Sequence, residues 1–273
     1  MIPLNVPVLL KQFHLRPKKS LGQNFLVDET ALATVTATAD LRSSDTVLEI
    51  GPGLGGLTRH LAAAAQRVVA VELDESLLPA LEHVLQPHAN IQIFQGDILT
   101  LDPASFRLPP SYKVVANVPY YITSAVIRHL LEAEAQPSLI VLTVQREVAE
   151  RICAKPGDMS LLAVSVQFYA RPDIAARIPA GAFYPVPAVD SAVVRLDVLP
   201  QPAVPVADEA HFFRVVKAGF SQKRKQLRNA LSGGLRLDAS LVDGHLTQAS
   251  IDPKRRAETL TLEEWGRVCE VMA

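Results

Sequence analysis

Val47-Leu-Glu-Ile-Gly51-Pro-Gly53-Leu-Gly55-Gly56-Leu-Thr58 is a β-run that breaks into a glycine-rich turn and opens a helix. Without side chains at the turn the backbone can come close to a ligand, and the helix start supplies N–H groups with no intrahelical partner. Twenty-one residues beyond Gly51 the next β-run ends in Val71-Glu72-Leu-Asp74. An acidic side chain there can accept hydrogen bonds from both ribose hydroxyls of an adenosine. A glycine-rich turn alone serves purely structural ends. Strand, turn, helix and acidic strand end in this order indicate a nucleoside-binding α/β domain.

Outward from that stretch, short β-rich runs alternate with helical ones. The strands expected are 46–50, 67–72, 91–94, 113–116, 139–143, 162–168 and 191–198, with helices over 28–40, 57–65, 76–85, 123–134 and 146–155. Such alternation predicts a parallel sheet covered by helices on both faces. Three prolines within Leu199-Pro-Gln-Pro-Ala-Val-Pro-Val206 suggest a stiff linker over 200–206. Beyond it the pattern is helical, over 208–220, 223–231, 239–244 and 262–272. The organisation expected is a large α/β domain, 1–199, followed by a small all-helical one, 207–273.

Among the 273 residues, 49% are hydrophobic and 20% charged, which suits a packed core and not a disordered chain. Apolar runs such as Leu139 to Leu142 fall far short of the ~18 residues of a membrane span. Met1 to Leu10 is apolar but carries Pro3 and Pro7 and lacks the charged head of a secretory signal. With only Cys153 and Cys269, neither a disulfide framework nor a cysteine metal site is available, and no metal is expected. A soluble, cytoplasmic protein is the expectation.

The net charge of −1 conceals a polarised distribution. Residues 1–27 and 211–237 hold 11 of the 27 basic residues and no acid. They read either as solvated basic faces or as the footprint of a polyanion on an acidic body.

The turn does not decide between a dinucleotide and S-adenosylmethionine, because Gly51, Gly53 and Gly56 also satisfy G-x-G-x-x-G. Later strand ends say more. Phe94-Gln-Gly-Asp97 sets a carboxylate where it could accept from an adenine amino group, although Gly-Asp also caps turns. Val115-Ala-Asn117-Val118-Pro119-Tyr120 follows at the fourth strand end. The exocyclic amine of a base is a poor nucleophile, its lone pair being delocalised into the ring. Acceptors aimed at its two hydrogens favour the pyramidal geometry needed for attack on a methyl group. Asn117 offers an amide oxygen, Val118 a backbone carbonyl held extended by Pro119, and Tyr120 a face for stacking. The leaving group would be a neutral thioether, so the lack of a His or Asp base fits methyl transfer.

With the leader Lys19-Ser-Leu-Gly-Gln-Asn24-Phe-Leu26, these segments resemble the ribosomal RNA adenine dimethyltransferase family, most closely its small-subunit branch. Phe183-Tyr-Pro-Val-Pro187, Phe220-Ser-Gln-Lys-Arg-Lys-Gln-Leu-Arg228 and Ile251-Asp-Pro-Lys-Arg-Arg-Ala-Glu-Thr-Leu260 extend the likeness from about Arg16 to Trp265. The resemblance implies a Rossmann-like class I methyltransferase with a mostly parallel seven-stranded sheet and a helical C-terminal domain. It implies S-adenosylmethionine held by Asn24, Leu26, Gly51, Gly53, Glu72, Asp97 and Asn117. Asn117, Val118, Pro119 and Tyr120 would act on a flipped adenine, with Phe183 as a second ring against it.

Two departures are visible. The usual Asn-Leu-Pro-Tyr is Asn-Val-Pro-Tyr here, and Met159-Ser160 replaces an expected aromatic-glycine pair. The implied reaction dimethylates two adjacent adenosines in a hairpin loop near the 3′ end of small-subunit ribosomal RNA. The partner would be that RNA or a pre-assembled small subunit, met by a monomer, with no membrane. Lys18, Lys19, Lys223, Arg224, Lys225 and Arg228 would anchor phosphates. The alternatives are a large-subunit adenine methylase of the antibiotic-resistance type, a nicotinamide oxidoreductase and a non-catalytic RNA-binding assembly factor.

Overall fold

The computed structural model describes residues 2–101 and 103–272. In chain order the elements are α1 (Val6–Gln12), β1 (Phe25–Leu26), α2 (Glu29–Thr38), β2 (Thr46–Ile50), α3 (Gly56–Ala64), β3 (Arg67–Glu72), α4 (Leu78–Leu85), β4 (Ile91–Gln95), β5 (Lys113–Asn117), α5 (Thr123–Leu131), β6 (Leu139–Gln145) and α6 (Arg146–Ile152). There follow α7 (Leu161–Tyr169), β7 (Ala170–Ile178), β8 (Phe183–Tyr184), β9 (Ser191–Val198), α8 (Glu209–Gly219), α9 (Leu227–Leu235), α10 (Ala239–Gln248) and α11 (Leu262–Val271).

Seven strands form one sheet in the order β4-β3-β2-β5-β6-β9-β7. β4, β3, β2, β5 and β6 run parallel, and β9 lies antiparallel to β6. All five residues of β2 are buried, as expected of a central strand covered on both faces. The chain builds outward from β2 through β3 to β4, then returns to the other side of β2 with β5. That reversal opens a crevice at the carboxyl ends of β2 and β5, the usual ligand position in such sheets.

One expected strand is corrected. Residues 162–168 lie in a helix, α7, whose N-cap Ser160 accepts a hydrogen bond from Ala163 N–H at 3.2 Å. A short run rich in Val and aromatic residues fits a buried strand and a buried helix equally well. The seventh strand is instead β7, with alternating burial along Ala170–Ile178 and Pro172 tolerated at the sheet edge. The helix expected from Lys223 starts only at Leu227, leaving Ser221–Gln226 as an exposed loop. An unexpected helix, α1, starts where Asn5 Oδ1 accepts from Val8 N–H, with Pro7 in the first turn, where its missing donor does no harm.

Two compact units result. One comprises the chain up to Ala149 with Pro172–Val198, and the other Glu150–Arg171 with the chain from Leu199 on. The second unit therefore takes in α7, which the sequence reading assigned to the first domain. Gln167 Nε2 donates to the carbonyls of Ile152 and Ala154, and Phe168 stacks on Phe212 at 4.6 Å. The proline-rich segment is tied to this unit: Ala203 N–H donates to Phe168 O, and Val204 is buried.

Candidate active site

A cleft lies in the first unit over the carboxyl ends of four neighbouring strands. Asp97 enters it after β4, Glu72 from β3, Glu49 and the Gly51–Gly56 turn from β2, and Asn117–Tyr120 from β5. Gly22–Leu26 close one side.

The turn requires glycine for two separate reasons. Gly53 has φ +59°, and a Cβ there would lie 2.9 Å from the Phe25 ring. Gly51 has φ +69°, but its Cβ would meet nothing nearer than Asn117 O at 3.9 Å, so space stands open before its backbone. Gly53 N–H donates to Glu72 Oε2 at 2.9 Å, and Asp74 N–H to Glu72 Oε1 at 2.8 Å. Each carboxylate oxygen can still accept from a second donor, as a pair of ribose hydroxyls would require. Burial pushes the Glu72 carboxyl up, and the backbone donors work against that rise. Asp97 Oδ1 accepts from Leu99 N–H at 2.9 Å, which leaves the other carboxyl oxygen for a ligand.

Asn117 Nδ2 donates to Asn24 O at 3.0 Å, which ties the leader to the end of β5 and leaves the Asn117 amide oxygen as an acceptor. The Tyr120 hydroxyl shares a 2.8 Å hydrogen bond with the fully buried Ser191, which fixes the ring. Tyr121 is 61% exposed and lies against Gly22 at the mouth.

Ten of the residues expected at the site line this cleft: Asn24, Leu26, Gly51, Gly53, Glu72, Asp97, Asn117, Val118, Pro119 and Tyr120. Phe183 does not. It pairs with Leu26 in the β1–β8 ladder, is 2% exposed and packs with Ile178, Ala182 and Val193. Its ring packs beside Leu26 of the leader rather than in the cleft wall.

Lys18, expected to anchor a phosphate, is engaged by Asp74 with its side chain 46% exposed. Its Nζ lies 2.6 Å from Asp74 Oδ1 and 3.0 Å from Ser76 Oγ, while Gln23 Nε2 donates to Asp74 Oδ2 at 2.7 Å. Burial would raise the Asp74 carboxyl, but these three partners outweigh it and hold it below the usual range. The group latches the leader to the end of β3. Lys18→Ala is expected to weaken donor binding about three- to tenfold in calorimetry, without changing the salt dependence of RNA binding. A salt slope reduced by about 0.7 would return Lys18 to phosphate contact. Lys19 is exposed. In the second unit Lys223, Arg224 and Lys225 are exposed on the α8–α9 loop, and Arg228 pairs with Asp243 at 3.1 Å.

Sequence reasoning gave no ligand role to Glu49, Gln23 or Ser191, nor to Leu4 and Val6, which line the cleft ahead of the leader. For Glu49 a signal was present: one acid within a strand otherwise made of buried apolar residues and Thr46. Among the described residues the cleft is lined by three carboxyls and by no Lys, Arg or His. Such a lining repels the pyrophosphate of a dinucleotide and suits a ligand with net positive charge, such as a sulfonium nucleoside. Geometry and donor set fit S-adenosylmethionine: Glu72 and Asp97 keep free acceptor sites that could meet a ribose and an adenine, and the Gly51 backbone is open to close approach.

Comparison with known proteins agrees. A model of the family described as ribosomal RNA adenine dimethylase matches residues 14–273. The chain is 47% identical over 267 residues to ribosomal RNA small subunit methyltransferase A of Dehalococcoides mccartyi, covering 96% of this chain and 91% of that one. It is 44% identical to the protein of that name from Moorella thermoacetica, covering 97% and 95%. The 23S rRNA methyltransferase ErmE superposes with a TM-score of 0.71 at 31% identity, covering 91% of this chain and 99% of that one. A dimethyladenosine transferase from Plasmodium falciparum shares the fold, with a TM-score of 0.70 at 23% identity over 89% and 95%.

Proposed function

Because the chain belongs to the ribosomal RNA adenine dimethylase family, we propose that it transfers methyl groups from S-adenosylmethionine to adenine amines of small-subunit ribosomal RNA, twice on each of two adjacent adenosines in a hairpin loop near the 3′ end. One observation carries the reading. The Asn117 amide oxygen and the fixed Tyr120 ring open on the same cleft as the nucleoside-binding carboxyls Glu72 and Asp97.

In this reading the Asn117 oxygen and the Val118 carbonyl accept the two amine hydrogens of an extruded adenine, and Tyr120 stacks on its face. Those acceptors turn the amine lone pair out of conjugation. The bound donor supplies an activated methyl group and a neutral leaving group, so the site needs no strong base. Asn24 and Leu26, backed by Phe183, hold the leader closed and exclude water. The small-subunit substrate is favoured over a large-subunit one by the higher identity to relatives carrying the small-subunit name, 39–47%, than to the 23S enzyme, 31%. Primer extension on both ribosomal RNAs after incubation tests this choice: stops on the small-subunit RNA support it, and stops on the large-subunit RNA alone refute it.

The second unit would hold RNA through the loop carrying Lys223, Arg224 and Lys225. Replacing all three by Ala is expected to reduce the log–log salt slope of RNA binding by about 2, at ~0.7 per single-strand phosphate. An unchanged slope would remove this loop from the interface. In this reading the protein acts as a monomer on small subunits in the cytoplasm. Among the described residues no helix is long and apolar enough to cross a membrane.

A further inference from the structure

Of the large apolar side chains that stand exposed among the described residues, two line the cleft, Leu73 and Tyr121. Leu73 follows Glu72 at the end of β3, on the donor side of the cleft in the reading above. Tyr121 follows Tyr120 beyond the end of β5, and β2 lies between those two strands. Neighbouring strands are ~4.8 Å apart, which puts about 10 Å between the two strand ends. Tyr121 therefore belongs to the side where the RNA would enter.

A single exposed ring is ordinary on a protein surface, but this one is held in place. Gly22 has φ +61°, and a Cβ there would lie 3.4 Å from the Tyr121 ring and 3.3 Å from Pro119 Cβ. A side chain at position 22 would crowd the ring. The bare backbone instead backs it on one side and leaves it 61% exposed. Tyr120 and Tyr121 share one 3-10 turn, Tyr120–Ile122. At three residues per turn, successive side chains point roughly 120° apart. Tyr120 is tied through its hydroxyl to Ser191, so the two rings do not face the same base.

The turn that backs Tyr121 is also basic. Gly22 N–H donates to Lys19 O at 3.0 Å, and Lys19 and Arg16 are exposed in a stretch, 1–27, without an acid. Flat rings beside cations are the means by which proteins hold single strands. We propose that Tyr121 is a second base platform: while one adenine is extruded onto Tyr120, the adjacent base of the same strand stacks on Tyr121, with its phosphate beside Lys19. This step rests on the reading that an RNA adenine is methylated between Asn117 and Tyr120. The two rings stand on consecutive residues, with Cα atoms ~3.8 Å apart, so consecutive bases are the ones they can hold. The platform asks for a base and not for a particular one, since every base has a flat face. It thereby selects an adenosine that has an unpaired neighbour over an isolated one.

The test is a double cycle on small subunits reconstituted with under-methylated RNA, either intact or carrying an abasic nucleotide on one side of the target adenosine, each side in turn. The readout is the subunit concentration that half-saturates methylation. Tyr121→Ala on intact subunits, and the unaltered protein on the abasic substrate, should each raise it about 5- to 150-fold, and the two together no more than either alone. Tyr121→Phe, which keeps the flat face, should stay within about twofold of the unaltered protein, whereas Tyr121→Leu, apolar but not flat, should behave as Tyr121→Ala. Donor affinity of Tyr121→Ala in calorimetry should change less than about twofold, because the ring would meet RNA and not the donor. Additive losses on the abasic substrates would mean that the ring meets a ribosomal protein or another part of the RNA, and would overturn the proposal. An unchanged half-saturation, with or without a fall in donor affinity, would overturn it too and leave Tyr121 as a prop for the leader. In both cases methylation of intact subunits by the unaltered protein leaves the reading of the site standing. No methylation of intact subunits by the unaltered protein would overturn both.

Discussion

Asn117→Ala is expected to lower the single-turnover rate of methyl transfer by about 10²–10³-fold. That is the scale on which removing one preorganised polar group from a reacting centre is felt. The variant loses the acceptor that turns the amine lone pair toward the donor. It also loses the 3.0 Å tie from Asn117 Nδ2 to Asn24 O, so the leader loosens. A neutral hydrogen bond of that kind contributes about 1 kcal/mol, so donor affinity should fall only about fivefold. The split is diagnostic. Rate measured at saturating donor, together with donor affinity from calorimetry, separates the two roles. A rate within tenfold of the unaltered protein would show that Asn117 merely tethers the leader.

The second large effect concerns stability. Folding lifts Glu49 from an ordinary 4.5 to about 8, first through burial and then through Glu72. Below pH 4.5 the carboxyl is neutral in both folded and unfolded chains and costs nothing. Between 4.5 and about 8 only the folded protein keeps the proton, so stability declines as pH rises, by ~1.4 kcal/mol per unit. The accumulated loss approaches roughly 5 kcal/mol above the folded titration point, with relaxation of the site making this an upper bound. Glu49→Gln carries no such slope. Denaturant unfolding from pH 6 to pH 9 should therefore show the variant gaining on the unaltered protein as pH rises. Parallel curves would mean that Glu49 titrates as a normal surface carboxyl.

Much of this was readable from residue order, for physical reasons. β2, β3 and β9 lie where the β-runs at 46–50, 67–72 and 191–198 indicated, because each carries a mostly apolar, buried middle such as Val68–Val71 or Ala192–Val194. The cleft residues were legible because each terminates a strand, where spacing along the chain converts directly into position on the sheet edge. What was not legible depends on side-chain pairing. Lys18 reads as one more cation in a basic leader until Asp74, 56 residues away, is seen beside it. Arg228 is hidden in the same way by Asp243. Phe183 sits in a segment characteristic of the family, yet a strand alternates its faces, and pairing with Leu26 turns this ring inward while Tyr184 stays 39% exposed. The run 162–168 satisfied strand composition, and only the Ser160 cap together with the carbonyls that Gln167 satisfies marks it as helix.

The central claim is that a sulfonium donor and an unpaired adenine meet between Asn117 and Tyr120. Nucleoside mass spectrometry tests it most directly, after incubation of the purified protein with S-adenosylmethionine and under-methylated small subunits. The account predicts N6,N6-dimethyladenosine at two adjacent positions near the 3′ end of the small-subunit RNA, formed about 10²–10³-fold more slowly with Asn117→Ala. Adenosines left unmodified by the unaltered protein, or modified only in large-subunit RNA, would contradict it.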